Sequence, residues 1–322
     1  MAKKCILFAA DSLDPNCKLV ANALKRRTPD YKIVTFEADK VADGSTPLHI
    51  SVGEDGILRV KYNGTALKLD QVRAAWYRRP RGYEYWLVKY RDSLERNQRL
   101  IQNSLWQEIP EERWLNSYQR IATAEHKLSQ LKVAKQVGFV IPKTIIANHW
   151  TAIEDELPES VVFKLPICQL ENSRARQVIA TTPYKNPQSL PKKSNPFPGL
   201  WQQHLTKARE WRVIVVGDHL FAGAIYTADK AKDDWRWHML KADDSVRFEK
   251  SHFPKTLQRA CFNYLKHFNL RYGAFDFVED HDGTVTFLEC NPNGQYGELE
   301  NFLGFRITEA VADELIRIAE ES

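Results

Sequence analysis

Two apolar segments near the end of the chain, joined by an acidic turn, predict a β-hairpin. The segments are residues 271–277 and 284–293, and their aromatic side chains favour strands that are partly buried. Asp282-Gly283 between them is a strong hairpin turn signal, because glycine accepts the positive φ angle that such turns need. This hairpin constrains the fold most strongly, since it determines which side chains meet at its open end.

The polar residues of this hairpin predict a metal site. Side chains alternate along a strand, so Glu289 and Asn291 share one face while Cys290 points to the other. Asp276 on the facing strand can lie on the same face. Two carboxylates and a carboxamide oxygen repel one another unless a hard cation sits between them, and Mg²⁺ prefers oxygen ligands. A solvated polar hairpin end is the alternative, but in apolar surroundings unpaired carboxylates are costly.

The overall composition excludes several classes of protein. The 322 residues suffice for about two or three compact units, and no apolar run approaches the ~20 residues that cross a bilayer. The basic, then apolar, start leads into Asp11 and Asp14, which favours a first buried strand over a signal peptide. The net charge of +5 suits a polyphosphate or an acidic peptide better than nucleic acid.

The cysteines indicate a reducing compartment. They are odd in number, widely scattered and without the CxxC spacing of zinc sites: Cys5, Cys17, Cys168, Cys261 and Cys290. This pattern argues against a disulfide framework. We therefore expect a cytoplasmic protein.

The order of predicted elements is that of a mixed α/β chain. Thr123 is a plausible N-cap for a helix over 123–137, which Gly138 ends, and the proline-rich segment 181–199 predicts a connector without packed elements. The other predicted helices are 16–27, 86–107, 253–268 and 308–319. The other predicted strands are 4–10, 31–36, 49–52, 57–62, 72–77, 141–147, 161–165, 201–205, 210–216 and 220–226.

Seven motifs stand in a characteristic order along nearly the whole chain. They are Trp76-Tyr77-Arg78-Arg79-Pro80, Trp114-Leu115-Asn116-Ser117, Glu210-Trp211-Arg212-Val213, Val216-Gly217-Asp218, Asp234-Trp235-Arg236, the Asp276 strand and Leu288-Glu289-Cys290-Asn291-Pro292-Asn293-Gly294-Gln295. In this order they resemble the ATP-grasp superfamily, and most closely its graspetide synthetases, the microviridin-type peptide maturases. The resemblance implies an α/β and α+β architecture. An N-terminal α/β domain over 1–118 would precede two α+β lobes, 119–200 and 201–322, that hold ATP between them.

The resemblance assigns nucleotide contacts to residues of both lobes. Lys127 and Lys164 would reach the phosphates, although Lys127 alone is also typical of a solvated helix. Gln203 and Leu205 lie in a segment similar to the hinge strand and would contact adenine, with a polar edge strand as the alternative. The ribose has two candidate partners, Lys207 and Glu210. Asp276, Glu289 and Asn291 would be the ligands of Mg²⁺.

Arg212 is conspicuous even without the resemblance. It interrupts an apolar strand, where a guanidinium needs an anion, and its planar fork suits phosphate oxygens. The resemblance assigns it to the γ-phosphate and the forming acylphosphate. An internal salt bridge is the alternative.

Asp234 and Arg236 are candidates for positioning the acid to be activated. They lie in a polar, tryptophan-rich loop, and in graspetide synthetases the matching Asp-x-Arg element positions an Asp or Glu side chain of the precursor peptide. Arg236 would form a bidentate pair with that acid and place its oxygen for attack on the γ-phosphorus. A solvated ion pair is the alternative.

Basic and aromatic residues interleave between residues 71 and 100. Such interleaving occurs in proteins that bind single-stranded nucleic acid, but an acidic peptide or its leader is the simpler partner, because this cluster would border the ATP cleft. Arg78 and Arg79 are the candidate substrate contacts. A solvated helix face explains most of the other charges.

The chain departs from the family after Lys164. The family's phosphate-covering loop commonly contains glycine, whereas this chain has no glycine between Gly138 and Gly199. Arg174 and Arg176 would take over phosphate contacts, or this segment would bind a leader peptide.

The sequence therefore predicts an ATP- and Mg²⁺-dependent ligase that acts on a ribosomal precursor peptide with a leader and an acidic core. It would phosphorylate Asp or Glu side chains and close esters with Ser or Thr, or amides with Lys. Two alternatives are a ligase for a free amino acid or small peptide and a non-catalytic ATP- or peptide-binding module. Relatives are often dimers, so the resemblance also allows a homodimer.

Overall fold

The computed structural model describes residues 4–80, 91–157, 160–164, 182–184, 198–228, 235 and 245–322. The described strands are β1 (Cys5–Ala10), β2 (Lys32–Glu37), β3 (Leu48–Val52), β4 (Leu58–Tyr62), β5 (Thr65–Leu67), β6 (Val72–Arg78), β7 (Thr144–Ala147), β8 (Val161–Lys164), β9 (Thr182–Tyr184), β10 (Gly199–Gln203), β11 (Arg209–Val216), β12 (His219–Thr227), β13 (Val246–Lys250), β14 (Tyr272–Glu279) and β15 (Val285–Asn291). The described helices are α1 (Pro15–Arg27), α2 (Ala38–Ala42), α3 (Arg91–Trp106), α4 (Tyr118–Ala124), α5 (Lys127–Gln136), α6 (Trp150–Glu156), α7 (Lys255–His267), α8 (Gly297–Leu303) and α9 (Ile307–Glu321).

The chain opens with a parallel sheet of order β2-β1-β6, and its predicted first strand is confirmed. All of β1 is buried, as its continuous apolar sequence indicates. Helix α1 begins at two local start signals. The Asp14 carboxylate caps it by accepting a hydrogen bond from Cys17 N, and Pro15 stands in its first turn. The carboxyl end of β6 carries Arg78 to the edge of this sheet.

The predicted hairpin after β2 is confirmed and extends to a three-stranded antiparallel sheet, β3-β4-β5. Its Tyr62 ring stacks on Phe36 of β2 with centroids 5.0 Å apart, and Trp106 of α3 meets Phe36 edge-on at the same distance. These rings pack on the face of the parallel sheet that is opposite to α1.

The C-terminal hairpin is confirmed as part of a five-stranded antiparallel sheet of order β13-β12-β11-β14-β15. Gly283 in the turn has φ 82°, the left-handed conformation that the Asp-Gly signal requires. A register irregularity lies between Asp276 and Phe277. β14 occupies a central position, so its polar residue Asp276 is flanked by a strand on each side.

The two faces of the five-stranded sheet pack against different parts of the chain. One face carries an aromatic core in which Phe139 stacks on Phe287 at 5.4 Å and Tyr264 of α7 meets Phe275 at 5.4 Å. The opposite face contributes to the same core cluster as the parallel sheet; this cluster contains Ile6, Phe8, Val20, Ile214, Val216, Tyr272, Leu299, Val311 and Leu315. The N-terminal unit and the C-terminal lobe are therefore joined by one continuous apolar core. The predicted boundaries between them stay predictions.

A small sheet of order β7-β10-β8-β9 lies between these units in sequence. Its core is correspondingly small and consists of Ile153, Leu157, Val161 and Trp201. β9 lies inside segment 181–199, so the expectation of a connector without packed elements is wrong for these three residues. The other residues of 181–197 lie outside the described part.

The predicted helix over 123–137 is wrong in its start and in its continuity. Ser117, and not Thr123, caps the first helix by accepting from Arg120 N, and Thr123 lies within that helix. The helical conformation is interrupted at Glu125 and His126, and a second helix begins at Lys127. The buried Gln130 side chain donates to Ala124 O at 2.7 Å and so satisfies a carbonyl that the break exposes.

The remaining helix and strand predictions are confirmed within one to a few residues at each end. The predicted start of the helix over 86–107 lies outside the described residues, which show it from Arg91 to Trp106. Among the described helices, none combines the length and apolar character that a membrane span needs.

Asn116 offers a test of how the units are joined. Its buried side chain donates to Tyr272 O and Pro292 O, both at 2.8 Å, and accepts from Arg271 N. We expect Asn116→Ala to lower the free energy of unfolding by about 3 kcal/mol, because buried backbone groups lose their partners. Urea unfolding measures this value. Gln107→Ala, which removes an exposed hydrogen bond to Tyr118, is the control; an equal loss in both variants would contradict the assignment.

Candidate functional site

A row of charged side chains crosses three neighbouring strands of the C-terminal sheet. Arg212 of β11 lies opposite Asp276 of β14, and Asp276 lies opposite Glu289 of β15. Directly paired residues of adjacent strands project from the same face, so all three side chains share one face. Asn291 follows one row further on, opposite Ala274. The prediction that Asp276, Glu289 and Asn291 share a face is confirmed.

Each of these oxygen-bearing side chains is paired with a cation. Arg212 Nη1 donates to both carboxylate oxygens of Asp276, at 2.9 and 3.0 Å. Lys127 Nζ forms a short ion pair with Glu289 Oε2. Arg79 Nη2 donates to Asn291 Oδ1 at 2.7 Å. The salt bridge that the sequence left open as an alternative for Arg212 is thus present, and its partner is itself a predicted metal ligand.

The surroundings keep the cations of this row protonated. Burial lowers the pKa of Lys127. The negative charge and hydrogen bond of Glu289, with smaller contributions from the charges of Asp276 and Glu125, outweigh burial and raise the pKa overall. The same balance holds for Arg212, where burial opposes the charge and Asp276 restores it. Lys127 and Arg212 therefore keep their positive charge near neutral pH, each beside a carboxylate.

The donor set of this face fits Mg²⁺. Asp276 and Glu289 offer carboxylate oxygens and Asn291 a carboxamide oxygen, which are hard ligands arranged at adjacent positions of one sheet face. Within the described residues no group of three His, Cys, Asp or Glu side chains could hold a metal, so the amide is needed to complete this set. Arg212 Nε is buried and, within that same part of the chain, has no acceptor, as a donor reserved for a ligand would be.

Lys127 reaches the row because α5 is attached to β15 by the side chain of Gln130. Gln130 Nε2 donates to Cys290 O at 2.8 Å, and Gln130 Oε1 accepts from Cys290 N at 3.1 Å. This pair of bonds fixes the first turn of α5 beside Glu289. Gln130 was missed by the sequence analysis, since a glutamine inside a helix carries no signal of a buried contact to a distant strand.

Arg79 stands at a constrained backbone position. Its φ angle is 48°, which a residue other than glycine rarely adopts, and Pro80 follows it. This turn directs the chain away from β6 and brings the guanidinium to Asn291. A predicted substrate contact therefore lies beside a predicted metal ligand.

Arg78, predicted as a substrate contact, is buried inside the protein. Its side chain is 1% exposed and is held by Asp14 and by the chain at residues 293–295. A guanidinium so enclosed is out of reach of a peptide substrate, so the predicted substrate contact is replaced by a structural role. The cause is tertiary: the sequence does not reveal that the end of β6 is covered by the turn after β15.

In the small sheet, the register separates two of the predicted nucleotide contacts. Lys164 pairs with Leu200, and Gln203 pairs with Val161, so Lys164 and Gln203 project from opposite faces. Gln202 shares the face of Lys164; it is buried and donates to Thr144 Oγ1 at 2.9 Å. If adenine is bound on the face of Lys164, Gln202 is the better side-chain candidate. Leu205 follows β10 and is half-buried.

The ribose candidates and the substrate loop complete the predicted set. Lys207 and Glu210 form an ion pair of 2.7 Å with each other. Asp234 and Arg236 lie outside the described residues, as do Arg174 and Arg176. Trp235 is described; it is buried and meets Phe248 of β13 edge-on at 5.5 Å.

The described cysteines are unsuited to nucleophilic catalysis. Cys5, Cys17, Cys261 and Cys290 are buried thiols. Burial raises the pKa of Cys5 to about 11 and the pKa of Cys261 well above its ordinary value. Because the thiolate is the reactive form, these side chains stay inert near neutral pH.

Comparison with known proteins places this geometry in context. No family model and no curated protein matches the sequence. Among solved structures, the macrocyclase MdnC from Microcystis aeruginosa MRC, bound with precursor peptide MdnA, has a TM-score of 0.79 and 25% identity, over 97% of this chain and 99% of that one. The chain has the fold of the RiPP-associated ATP-grasp ligases.

Two further ATP-grasp structures share this fold over nearly their whole length. A RiPP-associated ATP-grasp ligase from Chryseobacterium gregarium, in complex with ADP and a leader and core peptide, has a TM-score of 0.82 and 22% identity, over 98% of this chain and 97% of that one. The ATP-grasp ligase PsnB, complexed with a phosphomimetic variant of its minimal precursor, Mg and ADP, has a TM-score of 0.74 and 18% identity, over 99% of both chains.

Arg212 permits a test of the site with a control on the same strand. If Arg212 binds the γ-phosphate as predicted, Arg212→Met should lower turnover by about a hundredfold or more and weaken nucleotide binding. Arg209→Met removes an arginine that also pairs with β14, through Glu279 at 2.8 Å, and should leave nucleotide affinity unchanged. Calorimetric titration with a non-hydrolysable ATP analogue and Mg²⁺ measures both. Equal losses in the two variants would refute a phosphate-binding role for Arg212.

Proposed function

We propose that the protein is an ATP- and Mg²⁺-dependent ligase that activates Asp or Glu side chains of a ribosomal precursor peptide and closes them into rings. The supporting observation is the charged row on one sheet face, in a chain that matches precursor-bound ATP-grasp ligases from end to end. Both signs of charge are needed there, one for a metal ion and one for phosphates.

In this proposal the chain's own residues hold and neutralise the reactants. Lys127, Lys164 and Arg212 bind phosphate oxygens, while Asp276, Glu289 and Asn291 hold the metal ion. Lys127 and Arg212 lie against the proposed metal ligands Glu289 and Asp276, so the phosphate-binding and metal-binding groups of this proposal are neighbours. When bound, Mg²⁺ would shield the phosphate charge and polarise its oxygens.

The reaction then proceeds in two balanced steps. A peptide carboxylate oxygen bonds to the γ-phosphorus of ATP as the bond to the β-phosphate oxygen breaks, which gives an acylphosphate and ADP. A Ser or Thr hydroxyl, or a Lys amine, next attacks the acyl carbon and loses its proton as inorganic phosphate leaves. The peptide has lost one water, and no protein nucleophile takes part, in agreement with the buried thiols among the described residues.

Substrate positioning falls to arginines at the edge of the site. Arg79 lies beside Asn291 and is placed to pair with the carboxylate that is being activated. Arg236 is proposed to form a bidentate pair with the same acid, with Asp234 fixing its direction. These roles follow from the sequence motif and from the position of Arg79.

The proposal extends to partners and compartment. The peptide partner would have a leader and an acidic core, and a homodimer is compatible with it. The cysteine pattern supports a cytoplasmic location.

Two other functions remain as outcomes of the tests. A ligase for a free amino acid or small peptide would release ADP with those acids alone. A non-catalytic module would bind nucleotide and Mg²⁺ without releasing phosphate; the complete set of charged side chains on the sheet face disfavours it.

Mass spectrometry of a candidate precursor tests the proposal directly. We expect a short acidic peptide, encoded near this protein and rich in Ser, Thr or Lys, to lose the mass of one water per ring after incubation with ATP and Mg²⁺. Glu289→Gln, which removes the charge of a metal ligand, should abolish the loss. ADP release driven by free amino acids, without any change in the peptide, would overturn the peptide-ligase proposal.

Arg236 separates peptide activation from nucleotide binding. Arg236→Ala should retain the affinity for nucleotide and Mg²⁺ but lose peptide modification, because its proposed partner is the peptide carboxylate. Arg247→Ala is the control: this exposed arginine of β13 pairs with Glu249 and should leave both properties unchanged. Calorimetry and peptide mass spectrometry give the two measurements. Joint loss of binding and modification in Arg236→Ala would contradict its assignment to the substrate.

A further inference from the structure

Two arginines from distant parts of the chain grip the same turn. The turn consists of Asn293, Gly294 and Gln295 and follows β15 after Pro292. Arg212 of the C-terminal lobe donates to Gln295 O at 2.7 Å. Arg78 of the parallel sheet donates to Asn293 O at 3.1 Å and Gly294 O at 3.2 Å. The backbone that carries the metal-binding strand end is therefore held from both sides.

The Arg78 guanidinium makes further hydrogen bonds to the turn and to Asp14. Its guanidinium also donates to the side-chain oxygens of Asn293 and Gln295, at 3.1 and 3.0 Å. Its charge is balanced by Asp14, the N-cap residue of α1, at 3.0 Å. Its guanidinium lies 5.1 Å from the ring centroid of Trp76. A lysine could not reach these acceptors together, because an ammonium lacks the fork of donors that a guanidinium offers.

The turn has no room to move independently of the site. A Cβ atom at Gly294 would lie 2.5 Å from Ala274 Cβ, 3.1 Å from Arg212 Nη2 and 3.3 Å from Asn291 Cβ. Asn293 N also donates to Asn291 Oδ1 at 2.9 Å, so the predicted metal ligand is oriented by the turn itself. A displacement of the turn would shift Arg212 and Asn291 together.

We propose that Arg78 is a positioning residue of the nucleotide and metal site: through the turn at 293–295 it sets the orientation of Arg212 and Asn291. The N-terminal unit then contributes a residue that determines the geometry of the site. Arg78 contacts neither phosphate nor metal in this arrangement and acts through groups that do. The inference rests on the proposed nucleotide site.

The decisive variant is Arg78→Met, measured by binding and not by activity. We expect it to weaken the Mg²⁺-dependent affinity for a non-hydrolysable ATP analogue by about tenfold or more, as removal of groups behind metal ligands commonly does. Calorimetric titrations with increasing Mg²⁺, well below the unfolding temperature, measure this. Wild-type affinity and wild-type Mg²⁺ dependence in a folded Arg78→Met protein would overturn the proposal.

A matched control separates positioning from stability. Arg271→Met breaks a different ion pair between elements: Arg271, just before β14, pairs with the buried Glu314 of α9 at 3.0 Å. It should lower thermal stability but leave nucleotide affinity unchanged. A loss of affinity in Arg271→Met that matches Arg78→Met would mean that affinity simply follows stability, and would refute the positioning role.

Gln295→Ala keeps the test decisive if Arg78→Met does not fold. The exposed Gln295 side chain accepts from Arg78 and Asn16, whereas its backbone oxygen, which Arg212 uses, is retained. We expect a smaller loss of Mg²⁺-dependent affinity, and unchanged affinity would contradict the inference.

Peptide mass spectrometry distinguishes a failure of this inference from a failure of the proposed function. A wild-type protein that modifies no peptide, beside an Arg78→Met variant that loses nucleotide affinity, would refute the function and support the inference.

Discussion

The salt bridge between Arg212 and Asp276 is the interaction on which the site depends. It lies at the centre of the charged row across β11, β14 and β15, and a buried charge on either strand would be costly without the other. Glu289 adds a second carboxylate on the next strand, and Lys127 pairs with it. Two cations and two carboxylates make this group neutral by itself. In the proposed function a metal ion would take the carboxylates and a polyphosphate the cations, so each would free partners for the other.

The sheet face that carries this row changes character along its strands. Ile214 and Val216 on β11, and Tyr272 on β14, belong to the core shared with the parallel sheet, and one step further the same face carries Arg212 and Asp276. The N-terminal unit covers the apolar end and stops where the polar end begins. Arg78 lies at this border, which is why one buried arginine can connect the packing of the N-terminal unit to the geometry of the site.

Local patterns in the sequence predicted what local physics decides. Asp282-Gly283 specifies its turn through a positive φ, and strand alternation places Glu289 and Asn291 on one face. Arg212 among apolar neighbours requires an anion, for which the sequence offers a phosphate and, as the alternative, an internal salt bridge. The continuous helix over 123–137 failed because its break is stabilised from a distance, by Gln130 bonded to both Ala124 and Cys290. Gln203 is separated from Lys164 by a register that only the pairing of β8 with β10 fixes.

The sequence by itself determined the order of strands and helices and the chemical groups at the C-terminal hairpin, because backbone propensity and side-chain alternation act over a few residues. Only the tertiary structure decided which cation meets which oxygen, and that Arg78 supports the turn at 293–295 instead of facing a substrate. Those contacts join residues from 64 to more than two hundred positions apart, and burial and register there depend on how whole sheets pack.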